Sequence, residues 1–181
     1  MLDKPVRLRS FMVDDLFHFN NINLDRWTEM YSTSFYYDYL AKYPELCVVA
    51  ESADGSCLAG YLIAKVEGKG QEWHSHISAL SISPEYRKAG LAKQLCDYFE
   101  ELSERVHDCY FADLFVRVSN ELAIQVYRAR GYEVYRRIRN YYDQSEDAFD
   151  MRKPLKRDQE RKSVIGAGAV IEVHQMVDYT D

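Results

Sequence analysis

Hydrophobic and polar positions along the 181-residue chain change period several times, and each change predicts an element. Val6-Arg7-Leu8-Arg9-Ser10-Phe11 alternates and reads as a first strand. Asp14 and Asp15 then open a helix through Leu16, Phe17 and Phe19. Residues 20–30 follow no period and read as a loop. Thr33 or Ser34 caps a second helix carrying Phe35, Tyr36, Tyr39, Leu40 and Tyr43, and Pro44 closes it. Its aromatics lie on more than one face, so the helix packs a core and also meets something else.

Two apolar runs, Cys47 to Glu51 and Leu58 to Val66, flank Ala53-Asp54-Gly55-Ser56, a hairpin signal. After Glu67 to Glu72 a third strand runs from Trp73 to Ile82, completing an antiparallel meander. Leu91, Leu95, Tyr98 and Leu102 recur at helical spacing, and Tyr110 to Val118 returns as a strand. Ser119-Asn120 starts a helix with Ala123, Val126, Tyr127 and Arg130 on one stripe, stopped by Gly131. Tyr132 to Tyr142 is the final strand. The order β-α-α-βββ-α-β-α-β predicts a single α/β layered domain.

Composition narrows the function classes. The net charge of −6 argues against nucleic acid as the main partner. Fifteen tyrosines suit surfaces that are apolar in body and polar at the tip, as in peptide grooves. Cys47, Cys57, Cys96 and Cys109 lie far apart without metal-ligand spacing, which predicts reduced core thiols in a cytoplasmic protein. No run reads as a signal peptide or a membrane span, so no membrane association is expected.

The stretch around which these elements turn is Ser83-Pro84-Glu85-Tyr86-Arg87-Lys88-Ala89-Gly90-Leu91-Ala92, between a strand and a helix. A helix N-terminus offers unpaired N–H groups and partial positive charge. Gly90 and Ala92 are expected to keep that surface bare of bulk, while Arg87 and Lys88 add charge. The stretch reads as a diphosphate cradle or, more blandly, as a charged strand-to-helix turn. Neither the P-loop nor the dinucleotide-binding glycine pattern is present. Arg87-x-x-Gly90-x-Ala92 resembles the acetyl-CoA loop of the GNAT acetyltransferases, and the element order is similar to the GNAT fold: α/β, with a mixed, mainly antiparallel central sheet flanked by helices.

Longer runs resemble one GNAT branch, the catalytic subunits of N-terminal acetyltransferase B (NatB). They are the segment from Asp14 to Asp25, Glu72-Trp73-His74-Ser75-His76, the segment from Asp113 to Asn120, and the segment from Asp147 to Lys153. The likeness spans about Leu8 to Ile165, which implies a GNAT domain over 1–165 and a tail over 166–181. It implies acetyl transfer from acetyl-CoA to the α-amine of nascent polypeptides that begin Met-Asp, Met-Glu, Met-Asn or Met-Gln. It also implies a large helical-repeat auxiliary subunit, for which the aromatic helix and its preceding loop are the candidate contact.

The resemblance assigns roles. Acetyl-CoA would lie along Leu80-Ser81-Ile82, with a backbone N–H near Leu80 as oxyanion donor. Its pyrophosphate would meet the backbone from Arg87 through Lys88, Ala89, Gly90 and Leu91 to Ala92. Asn120 and Tyr127 match positions at the acyl and thiol end. Tyr127 is either the proton donor to the leaving sulfur or a core tyrosine, and Asn120 doubles as a helix cap. On the substrate side, Glu29 and Tyr31 match the peptide entrance, His76 and Ser78 face the second residue, and Tyr141 and Tyr142 close the groove or merely end a strand. A histidine and hydroxyls suit Asp, Glu, Asn and Gln, which all present an acceptor oxygen.

Some features admit two readings. His74-x-His76 places two imidazoles on one strand face, but no third ligand has suitable spacing, so no metal is expected. His74 reads as a buried, hydrogen-bonded histidine, and His76 as a substrate contact with a general-base role through water open to it. The basic run from Arg152 to Lys162 is either a ribosomal RNA contact or a solvated terminal segment, the second being the commoner case. Two other functions fit the cradle: a GNAT enzyme for another amine, lysine or a different N-terminus, and a non-catalytic CoA-binding subunit. Lysine, with pKa ~10.4, demands a stronger base than an α-amine, and no obvious carboxylate in the central strands is expected to supply it, Glu67 and Glu72 being read into the adjacent loop.

Overall fold

A computed structural model of the chain describes residues 5–24, 27–142 and 146–176. Asp25, the last residue of the first NatB-like run, and residues 177–181 of the tail lie outside the described residues. The chain divides into two compact units, Met1–Lys65 with Ile77–Leu102, and Val66–His76 with Ser103–Asp181.

In the first unit, β1 (Val6–Ser10), β2 (Cys47–Ser52), β3 (Leu58–Glu67) and β4 (His74–Ile82) are neighbours in that order. β1 and β2 pair antiparallel with Leu8 opposite Ala50. β2 and β3 pair antiparallel with Val49 opposite Tyr61. The hairpin forms where Asp54-Gly55 predicts it, because the Asp54 carboxylate accepts from the Ser52 hydroxyl and the Ser56 N–H. One sheet face carries the core: Phe11, Phe19, Ile22, Tyr36, Val49, Tyr61 and Ile63. Edge-on ring contacts at 5.5–6.0 Å tie Phe19 to Phe11, Tyr36 and Tyr61.

Two predicted helix starts shift. The expected helix from Asp14 is a single 3-10 turn, Val13–Phe17. The buried Asp15 carboxylate is already engaged by Arg9, at 2.7 and 2.8 Å, and by the Met12 N–H. That anchoring pulls the chain into a turn, and no i, i+4 apolar stripe continues it. In α1 (Thr33–Lys42) the cap is Ser32, whose hydroxyl accepts from the Phe35 N–H. Tyr36 is buried, and Phe35, Tyr39 and Leu40 pack on the core, while Tyr37 projects outward. α2 (Leu91–Arg105) buries Leu91, Leu95, Cys96 and Phe99, close to the predicted stripe.

The second unit holds β4's first residues, β5 (Phe111–Arg117), α3 (Glu121–Arg128), β6 (Glu133–Tyr142), β7 (Glu146–Pro154) and β8 (Ala169–Glu172), with strand order β4-β5-β7-β6-β8. β5–β7 and β6–β7 are antiparallel and β6–β8 is parallel, so the sheet is mixed. β6 is therefore not the last strand. β7 escapes the apolar alternation because its buried positions include Asp150 and Arg152. Arg136 donates to Asp150 at 2.8 Å, and the Arg152 guanidinium lies over the rings of Tyr135 and Phe111 at 3.8 and 4.6 Å. Burial and the nearby Asp113 charge push the Asp150 carboxyl upward, with Arg152 and Arg136 opposing them. β8 lies in the stretch expected to be a tail; it is short, and two of its four residues are exposed.

The basic run is not a solvated segment throughout. Arg152 is buried, and the buried Asp158 carboxylate accepts from the N–H groups of Lys162 and Ser163. The outer cations have acidic partners: Lys156 with Glu104, Arg157 with Asp108, Arg161 with Glu133, and Lys162 with Glu160. All four cysteines are free thiols, three of them buried; burial pushes the Cys47 and Cys109 thiols up to about 12. Such thiols stay protonated and inert.

Candidate active site

The turn from β4 into α2 is tightly fastened. The Ser83 N–H donates to the Ala59 carbonyl, residues Pro84–Tyr86 make one 3-10 turn, and the buried Tyr86 hydroxyl meets the Cys57 sulfur at 3.3 Å. Gly60 lets β3 approach the end of β4: a Cβ there would sit 2.7 Å from Ile82 Cδ1 and 2.9 Å from the Ser81 carbonyl oxygen. Arg87 folds back, its Nε donating to the Ile82 carbonyl at 3.0 Å. Part of its function is thus to clamp the turn.

Residues 87–90 are exposed, and Lys88 and Gly90 adopt left-handed backbone with φ of 61° and 80°. A Cβ on Gly90 would meet nothing within 4 Å. No protein atom crowds this position, and what requires glycine within the turn itself is its positive φ. The Gln94 N–H bonds the Gly90 carbonyl, so those of Leu91, Ala92 and Lys93 have no intrahelical acceptor. These donors, beside Lys88 and Arg87, fit an anionic diphosphate. Along β4, burial falls from complete at Ser75 to partial from Ser78 to Ile82, which leaves Leu80, Ser81 and Ile82 accessible.

Also in the first unit, Tyr31 donates to the Ser78 carbonyl at 3.0 Å and stacks on Phe35 at 4.0 Å. The Tyr39 hydroxyl meets the Ser78 hydroxyl at 2.8 Å. The structure thus joins two predicted positions, Tyr31 and Ser78, and adds Tyr39, which the pattern assigned only to helix packing. Glu29, in the same segment as Tyr31, is half-buried.

In the second unit the predicted residues His76, Tyr141 and Tyr142 come together through one that was not predicted, Phe115. Edge-on contacts run from His76 to Phe115 at 4.9 Å, from Phe115 to Tyr141 at 5.1 Å, and from Tyr141 to Tyr142 at 4.9 Å. Tyr142 is fixed twice: its hydroxyl donates to the Phe115 carbonyl, and Arg117 lies 4.2 Å over its ring. Arg117 is held in turn by Glu146, which also binds the Ser119 hydroxyl. Phe115 alternates with Asp113 and Arg117 on one strand, a period-2 signal that could have marked it.

Behind the rings lies Asp113. His76 Nδ1 bonds its Oδ1 at 2.8 Å, and His74 Nε2 stands 3.7 Å from its Oδ2. His74 is buried as expected; its Nδ1–H donates to the Glu72 carbonyl at 2.6 Å, and its ring stacks on Phe111. Burial pushes the Asp113 carboxyl up, but the charges of His74 and His76 outweigh it and hold the group down at about 2. Burial pulls His74 down, and the Asp113 charge with the Glu67 hydrogen bond reverses that to a net rise. Among the described residues no group of three or more His, Cys, Asp or Glu side chains is arranged to hold a metal ion. Asn120 caps α3, its Oδ1 accepting from the Ala123 N–H, and Tyr127 is buried edge-on to Tyr132 at 5.6 Å.

A family model described as the acetyltransferase (GNAT) family matches residues 16–132. The chain belongs to the GNAT acetyltransferase family. Within it, the chain stands with the catalytic subunits of NatB. It is 53% identical over 158 residues to N-alpha-acetyltransferase 20 of Dictyostelium discoideum, covering 87% of this chain and 91% of that one. The crystal structure of Chaetomium thermophilum Naa20 in complex with a bisubstrate analogue is similar with a TM-score of 0.86 and 38% identity, over 93% of this chain and 96% of that one. The NatB complex bound to CoA and MES gives a TM-score of 0.76 at 43% identity, over 82% and 99%.

The GNAT fold is thus the fold of this chain, and the chain is an N-terminal acetyltransferase that uses acetyl-CoA as acetyl donor. Among the described residues, no helix is long and apolar enough to cross a membrane.

Proposed function

We propose that this chain acetylates the α-amine of polypeptides beginning Met-Asp, Met-Glu, Met-Asn or Met-Gln, as the catalytic half of a cytoplasmic NatB-type complex. The observation that carries the reading is the exposed, left-handed turn at 87–90, opening the first turn of α2 directly after the accessible part of β4. An α-amine has pKa ~7.7–8.0, so roughly a tenth or more is already nucleophilic near pH 7. A thiol leaving group of pKa ~8.5 also needs little help. Positioning therefore dominates.

The backbone donors from Arg87 to Ala92 hold the diphosphate, and Leu80, Ser81 and Ile82 pair with the extended arm of acetyl-CoA. The N–H near Leu80 stabilises the oxyanion. Tyr127 supplies a proton to the departing sulfur, and Asn120 supports that end while capping α3. His76 and Ser78 read the second residue, Glu29 and Tyr31 border the entrance, and Tyr141 and Tyr142 close the groove. The acetyltransferase domain is residues 1–165, and 166–181 form an appended tail. α1 and the loop before it meet a helical-repeat auxiliary subunit, a reading supported by exposed Leu24, Met30 and Tyr37. The acidic partners of the basic run favour a structural segment over a ribosomal RNA contact.

A peptide assay tests the function. The chain with its auxiliary subunit is given acetyl-CoA and peptides starting Met-Asp or Ser-Glu, or bearing only an internal lysine. Turnover is expected with Met-Asp alone. Comparable rates on the lysine peptide would move the enzyme to another amine class.

A further inference from the structure

Three rings in the first unit bring two phenols onto a single residue of β4. Tyr31 stacks on Phe35 at 4.0 Å between ring centroids, and Tyr39 tilts against Phe35 at 4.3 Å. Phe35 and Tyr39 stand one turn apart on α1, which sets that spacing. Both tyrosines reach Ser78. The Tyr31 hydroxyl donates to the Ser78 carbonyl at 3.0 Å, and the Tyr39 hydroxyl meets the Ser78 hydroxyl at 2.8 Å. Ser78 is only half-buried, so it is not closed off from a bound molecule.

We propose that Tyr39 is a positioning residue for substrate recognition: it donates to the Ser78 hydroxyl and so frees the Ser78 O–H for the side-chain oxygen of the substrate's second residue. The proposal rests on the reading of Ser78 as a group that faces that residue. Only one hydrogen can lie between two bonded hydroxyl oxygens. If Ser78 supplied it, Ser78 would present lone pairs alone, which no carboxylate can meet. If Tyr39 supplies it, the Ser78 hydrogen can be donated to an acceptor oxygen, the group that Asp, Glu, Asn and Gln share. A phenol, with pKa ~10, is more acidic than an aliphatic alcohol and is the better donor of the two. Donors in series also polarise one another, so the bond from Tyr39 strengthens the next one from Ser78. Tyr31 fixes the backbone of the same residue, and Tyr39 then fixes the rotation of its side chain.

The test measures kcat and KM for a Met-Asp peptide, and the acetyl-CoA dissociation constant, in the complex with the auxiliary subunit. Wild type is compared with Tyr39→Phe, Ser78→Ala and the double variant. Tyr39→Phe keeps the ring stack and removes one oxygen. It is expected to raise KM about three- to tenfold, the net worth of one hydrogen bond, with kcat and acetyl-CoA affinity kept. In the Ser78→Ala background it should change nothing further, because it acts only through that hydroxyl. An equal rise in KM with and without the Ser78 hydroxyl, or a parallel loss of acetyl-CoA affinity, would make Tyr39 purely structural and overturn the proposal. If Ser78→Ala raises KM while Tyr39→Phe leaves it unchanged or lowers it, the proposal alone fails. An unchanged KM in Ser78→Ala would remove the substrate role of Ser78, and the proposal with it.

Discussion

Gly90→Ala is the sharpest perturbation of the cofactor turn. A β-carbon at this position meets no atom within 4 Å, so the substitution introduces no clash. In the free enzyme it acts only through φ, which stands at 80°. Holding an L-residue in left-handed backbone costs about 1–2 kcal/mol. Residues 87–90 are exposed, so in the free enzyme the turn can relax to negative φ and melting should change little. Binding acetyl-CoA then has to restore the left-handed turn, and affinity should fall about 5- to 30-fold. Gly90→Asn is the control, because asparagine tolerates this region better than most residues; its loss should be about threefold or less. Calorimetric titration with acetyl-CoA and thermal melting read the two quantities separately. Wild-type affinity in Gly90→Ala would refute the backbone argument, and equal losses in both variants would make bulk the reason for glycine.

Gly60→Ala should lower both stability and activity, by about 1–3 kcal/mol in urea unfolding, because its Cβ would press on the Ser81 carbonyl and Ile82; an unchanged midpoint would mean β3 and β4 separate freely there. Arg9→Ala leaves the Asp15 and Glu51 carboxylates without their shared cation and should cost about 2 kcal/mol in the same assay. Asp113 has a folded pKa of about 2, below the ordinary 3.8, so its contribution to stability is complete above about pH 4 and is lost as pH falls through about 2. Wild-type stability should therefore drop more steeply between pH 4 and 2.5 than that of Asp113→Asn; parallel curves would contradict the depressed value. Tyr127→Phe should reduce kcat roughly tenfold with acetyl-CoA affinity kept, a modest effect for acid catalysis because a thiol leaves readily; unchanged kcat would assign Tyr127 to the core alone.

Wherever local pattern and local energetics agree, the elements were legible in the chain. β1 to β4, the Asp54 hairpin, α1, α2, β5 and α3 fall where alternation, helical spacing and capping place them, within a residue or two at the ends. β7 was not legible as a strand, because its buried positions are filled by Asp150 and Arg152, which look like surface residues until their partners are known. Periodicity cannot distinguish a paired buried charge from a solvated one. The turn at Asp15 was misread for the same reason: its carboxylate reads as a helix opener, but Arg9, on β1, captures it.

The site divides along the same line. The cradle follows from contiguous residues, Arg87 to Ala92, because strand, turn and helix N-terminus are consecutive, and backbone geometry there is a local property. The sequence by itself also carried the family, through runs whose order along the chain is fixed. What only the tertiary structure decided is which side chains share an environment: Phe115 joining His76 to Tyr141, Tyr39 on the Ser78 hydroxyl, and Asp113 behind His76. These contacts link residues 26 to 39 positions apart in the chain. Each depends on the register between strands and on a low-dielectric interior that makes one charge govern another. Neither quantity exists until the chain has folded.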